Sequence, residues 1–180
     1  MEERILWHKT RELHHACEEH RVGAVMSAGN PPMIWYAAWI KALHQIHSVL
    51  DMHSPDSLIR AERLGNDLWA SGFDIPELKT ATEYVNSLKT EEDFDGAIYV
   101  LAGAHLMGGE VMRRRLIDYP TTHLEWEDRK ASLADLQIYR TRGDIVEEAK
   151  ACFYALLKVM DEIVETYQIE EKDETIHKTS

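Results

Sequence analysis

Two short stretches hold residue types that do chemistry at spacings chemistry can use. The first is TRELHHACE, residues 10–18, in which Glu18 follows His14 by four positions. Residues i and i+4 share a helix face. A carboxylate placed there can reach the outer ring nitrogen of a metal-ligating imidazole, fix its tautomer and make it more basic. The second is YVLAGAHLMGG, residues 99–109, where Gly103, Gly108 and Gly109 interrupt a segment that reads as helix on both sides. Each interior glycine costs a helix roughly 1 kcal/mol against alanine, so three of them need a physical reason. Small residues admit either a second helix or a large flat ligand. Adjacent glycines do not share a face, so packing against one neighbour does not call for both. A pair lets a helix bend and opens its backbone, which suits a helix lying across a ligand.

The chain carries 10 histidines. A di-metal bundle site needs Glu-x-x-His on two helices and a glutamate on each of two others. Glu12 to His15 fits once, and the second match, Glu174 to His177, lies in the polar tail, so that chemistry is disfavoured. His44 and His47, at i and i+3, have no evident carboxylate partner on their face and read as structural residues.

Helical periodicity dominates the elements that must position these groups. A first helix is expected over 3–20, with Ile5, Leu6, Leu13, Ala16 and Cys17 inward. Ala28-Gly-Asn-Pro-Pro32 breaks the chain. Met33–Leu50 is the most apolar helix and therefore a central one. Further helices are expected over 56–71, 77–88, 91–117, 132–141 and 144–167. The last has a clean apolar face through Val146, Ala149, Phe153, Leu156, Met160 and Ile163. No stretch sustains strand-like alternation, so the expectation is an all-α single domain over 1–168, followed by a polar, frayed tail over 169–180.

Composition narrows the function classes. The 180 residues carry a formal charge of −12, with hydrophobic residues at 44%. Such an acidic chain argues against nucleic acid and against an anionic membrane surface as partners. No apolar run reaches membrane-spanning length, and the charged N-terminus lacks a signal-peptide pattern. Cys17 and Cys152 match no metal spacing and read as free thiols in a reducing, cytoplasmic compartment.

Taken together, the motifs resemble the heme oxygenases. That family's first helix carries T-x-x-x-H-x-x-x-E, matched here from Thr10 through His14 to Glu18. Its distal helix has a Gly-rich bend ending in a glycine pair, matched by Tyr99, Gly103, Gly108 and Gly109. Its C-terminal part has a Tyr-Arg dipeptide and then an acidic helix, matched by Tyr139-Arg140 and by EEAKACF over 147–153. The three occur in the family's order and span Thr10 to Phe153. The resemblance implies a helical bundle that holds heme between a proximal and a kinked distal helix. Heme would be both cofactor and substrate, cleaved with O2 and electrons to biliverdin, carbon monoxide and Fe(II). His14 would be the proximal iron ligand and Glu18 its support. Gly103, Gly108 and Gly109 would let the distal backbone approach the ring. Arg140, then Arg11, would meet the propionates, with hydroxyl contacts from Tyr99 and Tyr139.

Two positions depart from the family pattern. His105 stands where the best-known members have an aspartate that orders distal water. It would order water in its turn, ligate iron, or simply point away, and ligation makes a bis-His carrier or sensor rather than an enzyme. Leu156 stands where many members have a polar residue. Electrons would come from outside, since the chain has no flavin or iron–sulfur motif. The resemblance to forms without a membrane tail implies ferredoxin or a flavoprotein reductase as donor. The run Arg113-Arg114-Arg115 is either its docking patch or a helix end favoured by the macrodipole.

Overall fold

The structure, a computed structural model, describes residues 5–169. They are helical, with no strand among them: α1 (Ile5–Glu19), α2 (Arg21–Ala28), α3 (Met33–Leu50), α4 (Ala61–Ser71), α5 (Lys79–Ser87), α6 (Glu91–Gly103), α7 (Gly109–Arg115), α8 (Arg129–Arg140) and α9 (Val146–Thr166). Of the tail expected over 169–180, residues 170–180, with the Glu174 to His177 motif, lie outside the described residues.

α3 takes the central position that its composition requires. Trp35, Tyr36, Ile40, Leu43, Ile46 and Leu50 are all buried. α9 lays its apolar face on the same core through Ala149, Phe153, Leu156, Val159, Met160 and Ile163. Trp35 Nε1 donates to the carbonyl of Tyr167 at 2.7 Å and so fastens the far end of α9 to the start of α3.

Helix starts show how local and distant groups share the work of satisfying free N–H groups. α6 is capped locally: Thr90 Oγ1 accepts from Asp93 N at 3.2 Å, and Asp93 Oδ2 accepts from Thr90 N at 2.9 Å, a reciprocal capping box. α8 begins at Arg129 because Asp128 accepts from Ala131 N at 3.0 Å; that is three residues earlier than expected. Two other caps come from afar. Glu162 on α9 accepts from Lys79 N and Thr80 N, each at 2.8 Å, and opens α5. Asp51 Oδ2, at the end of α3, accepts from Arg60 N at 2.9 Å and Ala61 N at 2.6 Å.

That last cap divides the helix expected over 56–71 into a 3-10 turn, Asp56–Leu58, and α4, with Ile59 extended between them. α2 was not foreseen. His20 starts it by accepting from Val22 N at 3.1 Å, and Gly29 ends it at φ 81°, a left-handed value that suits glycine. Both groups lie in a segment with little periodic signal.

α1 and α9 run in the same direction. Gly143, before α9, packs against Ile5, and His20 Nε2 meets Asp161 Oδ1 at 3.0 Å at the other end of α1. Gly96 of α6 meets Glu148 and Ala149 near the start of α9. Among the described residues, no helix is long and apolar enough to cross a membrane.

Candidate functional site

α1 and α6 both pack on α9. Tyr99 on α6 and Thr10 on α1 share a side-chain hydrogen bond, which sets the register of the two helices. One turn beyond that contact stand His14 on α1 and Gly103 on α6. Phe153 on α9 lies with its ring edge-on to His14, centroids 6.2 Å apart.

The glycines on this segment have different reasons. A Cβ on Gly96 would stand 2.6 Å from Glu148 Cβ and 2.7–2.8 Å from the α9 backbone, so this glycine is there for helix–helix approach. A Cβ on Gly109 would meet Leu124 at 3.3 Å, again packing. Gly103 and Gly108 face open space, with no neighbouring atom within 4 Å of a built Cβ. None of these four has a positive φ, so what they supply is the absence of a side chain. Between Gly103 and Gly109 the expected bend takes the form of a π-helical segment, Ala104–Gly108. π-segments widen a helix by one residue and concentrate at functional sites.

His14 is half-buried. Trp7 lies edge-on to its ring at 5.3 Å. Its Nδ1 is buried without a hydrogen-bond partner, and the nearest Glu18 oxygen stands 3.6 Å away. Glu18 instead bonds His15 Nδ1 at 3.2 Å. His15 is thus a neighbour that the family motif did not bring forward, although its i,i+3 spacing to Glu18 is visible in sequence. His14, His15 and Glu18 converge closely enough to hold an ion.

Tyr99 and Arg140 come together. Burial raises the Tyr99 hydroxyl, while its bond to Thr10 and the nearby charge of Arg140 pull the other way. Thr10 Oγ1 in turn donates to the Leu6 carbonyl at 2.7 Å. Among the described residues Arg140 has no carboxylate partner, whereas Arg142 is held by Asp95 at 2.5 Å and Asp144 at 2.7 Å. Of the two arginines in the dipeptide region, Arg140 is therefore the one left for an anion. Arg11 is exposed on α1. Tyr139 is placed elsewhere: it lines a cavity of about 410 Å³ with His53, Lys89, Phe94 and Asp95.

His105 points to the other side of the π-segment. Its ring stacks on His47 with centroids 5.4 Å apart and planes 22° apart, and it meets His123 edge-on at 5.5 Å. Burial, then the neighbouring His47, His123 and Arg60, hold it well below the usual histidine range, so it is neutral. Each flanking histidine is tied to a carboxylate: His47 Nδ1 to Asp51 at 3.0 Å and His123 Nδ1 to Asp67 at 2.6 Å. The expectation that His47 lacks a carboxylate on its face is therefore wrong. Asp51 lies one turn after it, and the i,i+4 rule that singled out His14 and Glu18 picks out this pair equally well. His123 and Asp67 are 56 residues apart, and no sequence pattern links them.

The arginine run is largely neutralised. Arg113 bonds Glu125 at 2.9 Å, Arg114 bonds Glu110 at 3.0 Å, and Arg115 donates to the Ser27 carbonyl at 2.7 Å.

No family model matches this chain, and no curated protein matches it in sequence. Solved structures do match in shape. A heme oxygenase from Leptospira interrogans superposes with a TM-score of 0.76 at 18% identity, over 88% of this chain and 97% of that one. Heme oxygenase-1 from the cyanobacterium Synechocystis, solved in complex with heme, superposes with a TM-score of 0.78 at 16% identity, over 89% of this chain and 91% of that one. The chain thus has the all-α fold of the heme oxygenases, over nearly the whole length of both proteins.

Proposed function

We propose that this protein binds heme in the groove between α1 and α6 and degrades it as a heme oxygenase, to biliverdin, carbon monoxide and Fe(II). The observation that carries the proposal is the open space over Gly103 and Gly108, on a helix whose Tyr99 bonds Thr10 of the helix that bears His14. Two backbone positions without side chains, on a helix widened by a π-segment, are what a flat macrocycle needs for close approach. The residues present fit such a ligand. His14 offers an imidazole whose buried Nδ1 has no other partner, with Glu18 near enough to take up its proton when the ring turns. Arg140 offers an uncommitted guanidinium beside Tyr99 for an anionic edge.

Bound heme supplies the iron at which O2 is activated and the ring that is consumed. The chain's part is positional. His14 would hold the group from α1. Gly103 and Gly108, lacking side chains, would leave room for it and for O2. Arg140, beside Tyr99, and Arg11, exposed on α1, would hold the propionates and so orient the group. Gly109 supports the segment from behind through Leu124. His105 lies in the core between two other rings, which favours the oxygenase over a bis-His carrier.

Electrons come from an external donor, for which a ferredoxin or flavoprotein reductase is the proposed class, in a cytoplasmic setting. The pairing of Arg113 and Arg114 with Glu125 and Glu110 leaves little free charge in the basic run for docking.

The test is a hemin titration followed by absorption under air with ascorbate, or with ferredoxin and its reductase. The expected result is a Soret band that decays while a broad band grows at the red end, with a displaced spectrum for His14→Ala. A stable low-spin spectrum that survives reductant would support a carrier, and absence of any Soret band would remove heme altogether.

A further inference from the structure

α1 gathers two imidazoles and a carboxylate, and the heme reading uses only part of that set. A helix turns about 100° per residue, so Glu18 sits in azimuth between His14 and His15, about 40° from the first and about 60° from the second. Helical side chains lean toward the N-terminus, which carries the Glu18 carboxylate back over both rings. The distances agree. Glu18 Oε2 lies 3.2 Å from His15 Nδ1 and 3.6 Å from His14 Nδ1, and one ligand atom from each of the three residues lies within 4.8 Å of the others. The two rings stand 79° apart, with centroids 5.9 Å apart.

Two readings of this trio compete. In the first, His15 Nδ1–H donates to Glu18 at 3.2 Å, and the trio is a surface pair with a bystander. That leaves His14 Nδ1 buried without a hydrogen-bond partner, 3.6 Å from the same oxygen. A buried polar atom that lacks a protein partner points to a bound water or ion. In the second, a cation sits among the three atoms and serves them all. Zinc takes imidazole nitrogen and carboxylate oxygen at about 2.0–2.2 Å, which at tetrahedral angles sets neighbouring ligand atoms about 3.4 Å apart. The two separations from Glu18 Oε2 fall on either side of that value. His15 and Glu18 are exposed, so an ion reaches them from solvent, and rotation of these free side chains closes the remaining edge. The formal charge of −12 favours a cation as the ligand.

We propose that the heme-free protein holds a divalent transition-metal ion through His14 Nδ1, His15 Nδ1 and Glu18, with water completing its shell. The donor set selects the ion: two imidazoles and a carboxylate suit zinc, nickel or copper, whereas magnesium and calcium take oxygen ligands. The site stands without the heme reading. Its consequence rests on that reading: ion and heme exclude each other. A neutral imidazole carries a lone pair on one ring nitrogen and a hydrogen on the other. An ion on His14 Nδ1 leaves the hydrogen on Nε2, so neither nitrogen is left for heme iron. Heme on either nitrogen likewise takes His14 from the ion. His15 tells the two ligands apart, because it belongs to the ion site alone.

The test is a calorimetric titration of heme-free protein with Zn(II), read beside NMR of protein labelled with ¹⁵N at histidine. One equivalent should bind, with the largest shifts at the ring nitrogens of His14 and His15. His15→Ala, an exposed change that should leave the melting temperature alone, should weaken zinc binding by about tenfold or more. Zinc that fails to bind, or that binds His15→Ala as tightly as wild type, would overturn the site. Competition is read by titrating hemin at a zinc concentration about ten times the wild-type zinc Kd, where the apparent hemin Kd should rise about tenfold for wild type and less than about twofold for His15→Ala. A wild-type hemin affinity indifferent to bound zinc would overturn the exclusion. The two readings fail separately. Zinc held by His14 and His15 in a protein that takes up no hemin would remove the heme reading and keep the ion site. Hemin held through His14 in a protein that takes up no zinc would do the opposite.

Discussion

The two sides of the segment from Gly103 to Gly109 differ in how they are filled. On the groove side, Gly103 and Gly108 meet nothing. On the core side, His105 is packed between two imidazoles, each tied to a carboxylate. The backbone is nearly the same on both sides, so side-chain placement alone separates a surface kept clear from a polar cluster kept dry. Gly96, on the same helix as Gly103, sharpens the lesson. It too lacks a side chain, yet its missing Cβ is replaced by the backbone of α9. Two glycines seven positions apart thus serve opposite ends: one closes the fold, the other leaves it open.

That contrast can be broken by substitution. The largest effect is expected from His14→Ala, which should abolish the wild-type heme spectrum while shifting stability by less than about 1 kcal/mol, because the side chain is only half-buried; absorption and thermal melts check the two halves. Gly96→Ala should destabilise by about 1–3 kcal/mol, since α6 and α9 must separate to admit the methyl group, and urea denaturation reads it directly. Gly103→Ala should do the reverse. With nothing to strike and glycine's helix penalty of up to about 1 kcal/mol removed, the heme-free protein should melt later, while its affinity for hemin falls. If Gly103→Ala destabilises and leaves hemin binding intact, the open face is not a ligand face.

The core side predicts a pH dependence. His105 and His123 both titrate below the usual histidine range in the folded protein, chiefly through burial. A histidine held neutral in the native state but free to protonate when unfolded lowers stability as pH falls. The loss begins near the unfolded value of about 6.5 and continues to the depressed folded value, at up to about 1.4 kcal/mol per pH unit for each group. Asp51 and Asp67 act in the same direction at more acid pH, because their folded values are lowered: their contribution is present above the usual carboxylate range and lost below it. Melting curves from pH 7.5 to 4.5 should therefore slope downward, and His105→Leu should flatten the upper part of that slope. The smallest effect is expected from Arg114→Ala, whose exposed pair with Glu110 is worth at most about 0.5 kcal/mol.

The sequence carried the local facts. Periodicity located the apolar faces of α3 and α9, since 3.6-residue spacing is a property of one helix alone. The Thr90 and Asp93 capping box, the His14 and Glu18 spacing and the glycine cluster are local in the same sense, and His47 with Asp51 belongs with them. What local pattern could not hold is any bond between distant segments. Asp51 reaching across to Arg60 and Ala61 cut one expected helix in two. Glu162 opens α5 from the other end of the chain. Whether a glycine faces a neighbouring backbone, as Gly96 does, or open space, as Gly103 does, is decided by what packs against it. The meeting of His123 with Asp67, and of both with His105, depends on three segments folding together. Composition and spacing determined an acidic, all-α chain with a candidate ligand-bearing first helix. Tertiary structure alone decided which face stays clear and which polar groups are buried together, because burial and hydrogen-bond satisfaction belong to the packed assembly rather than to any one stretch of it.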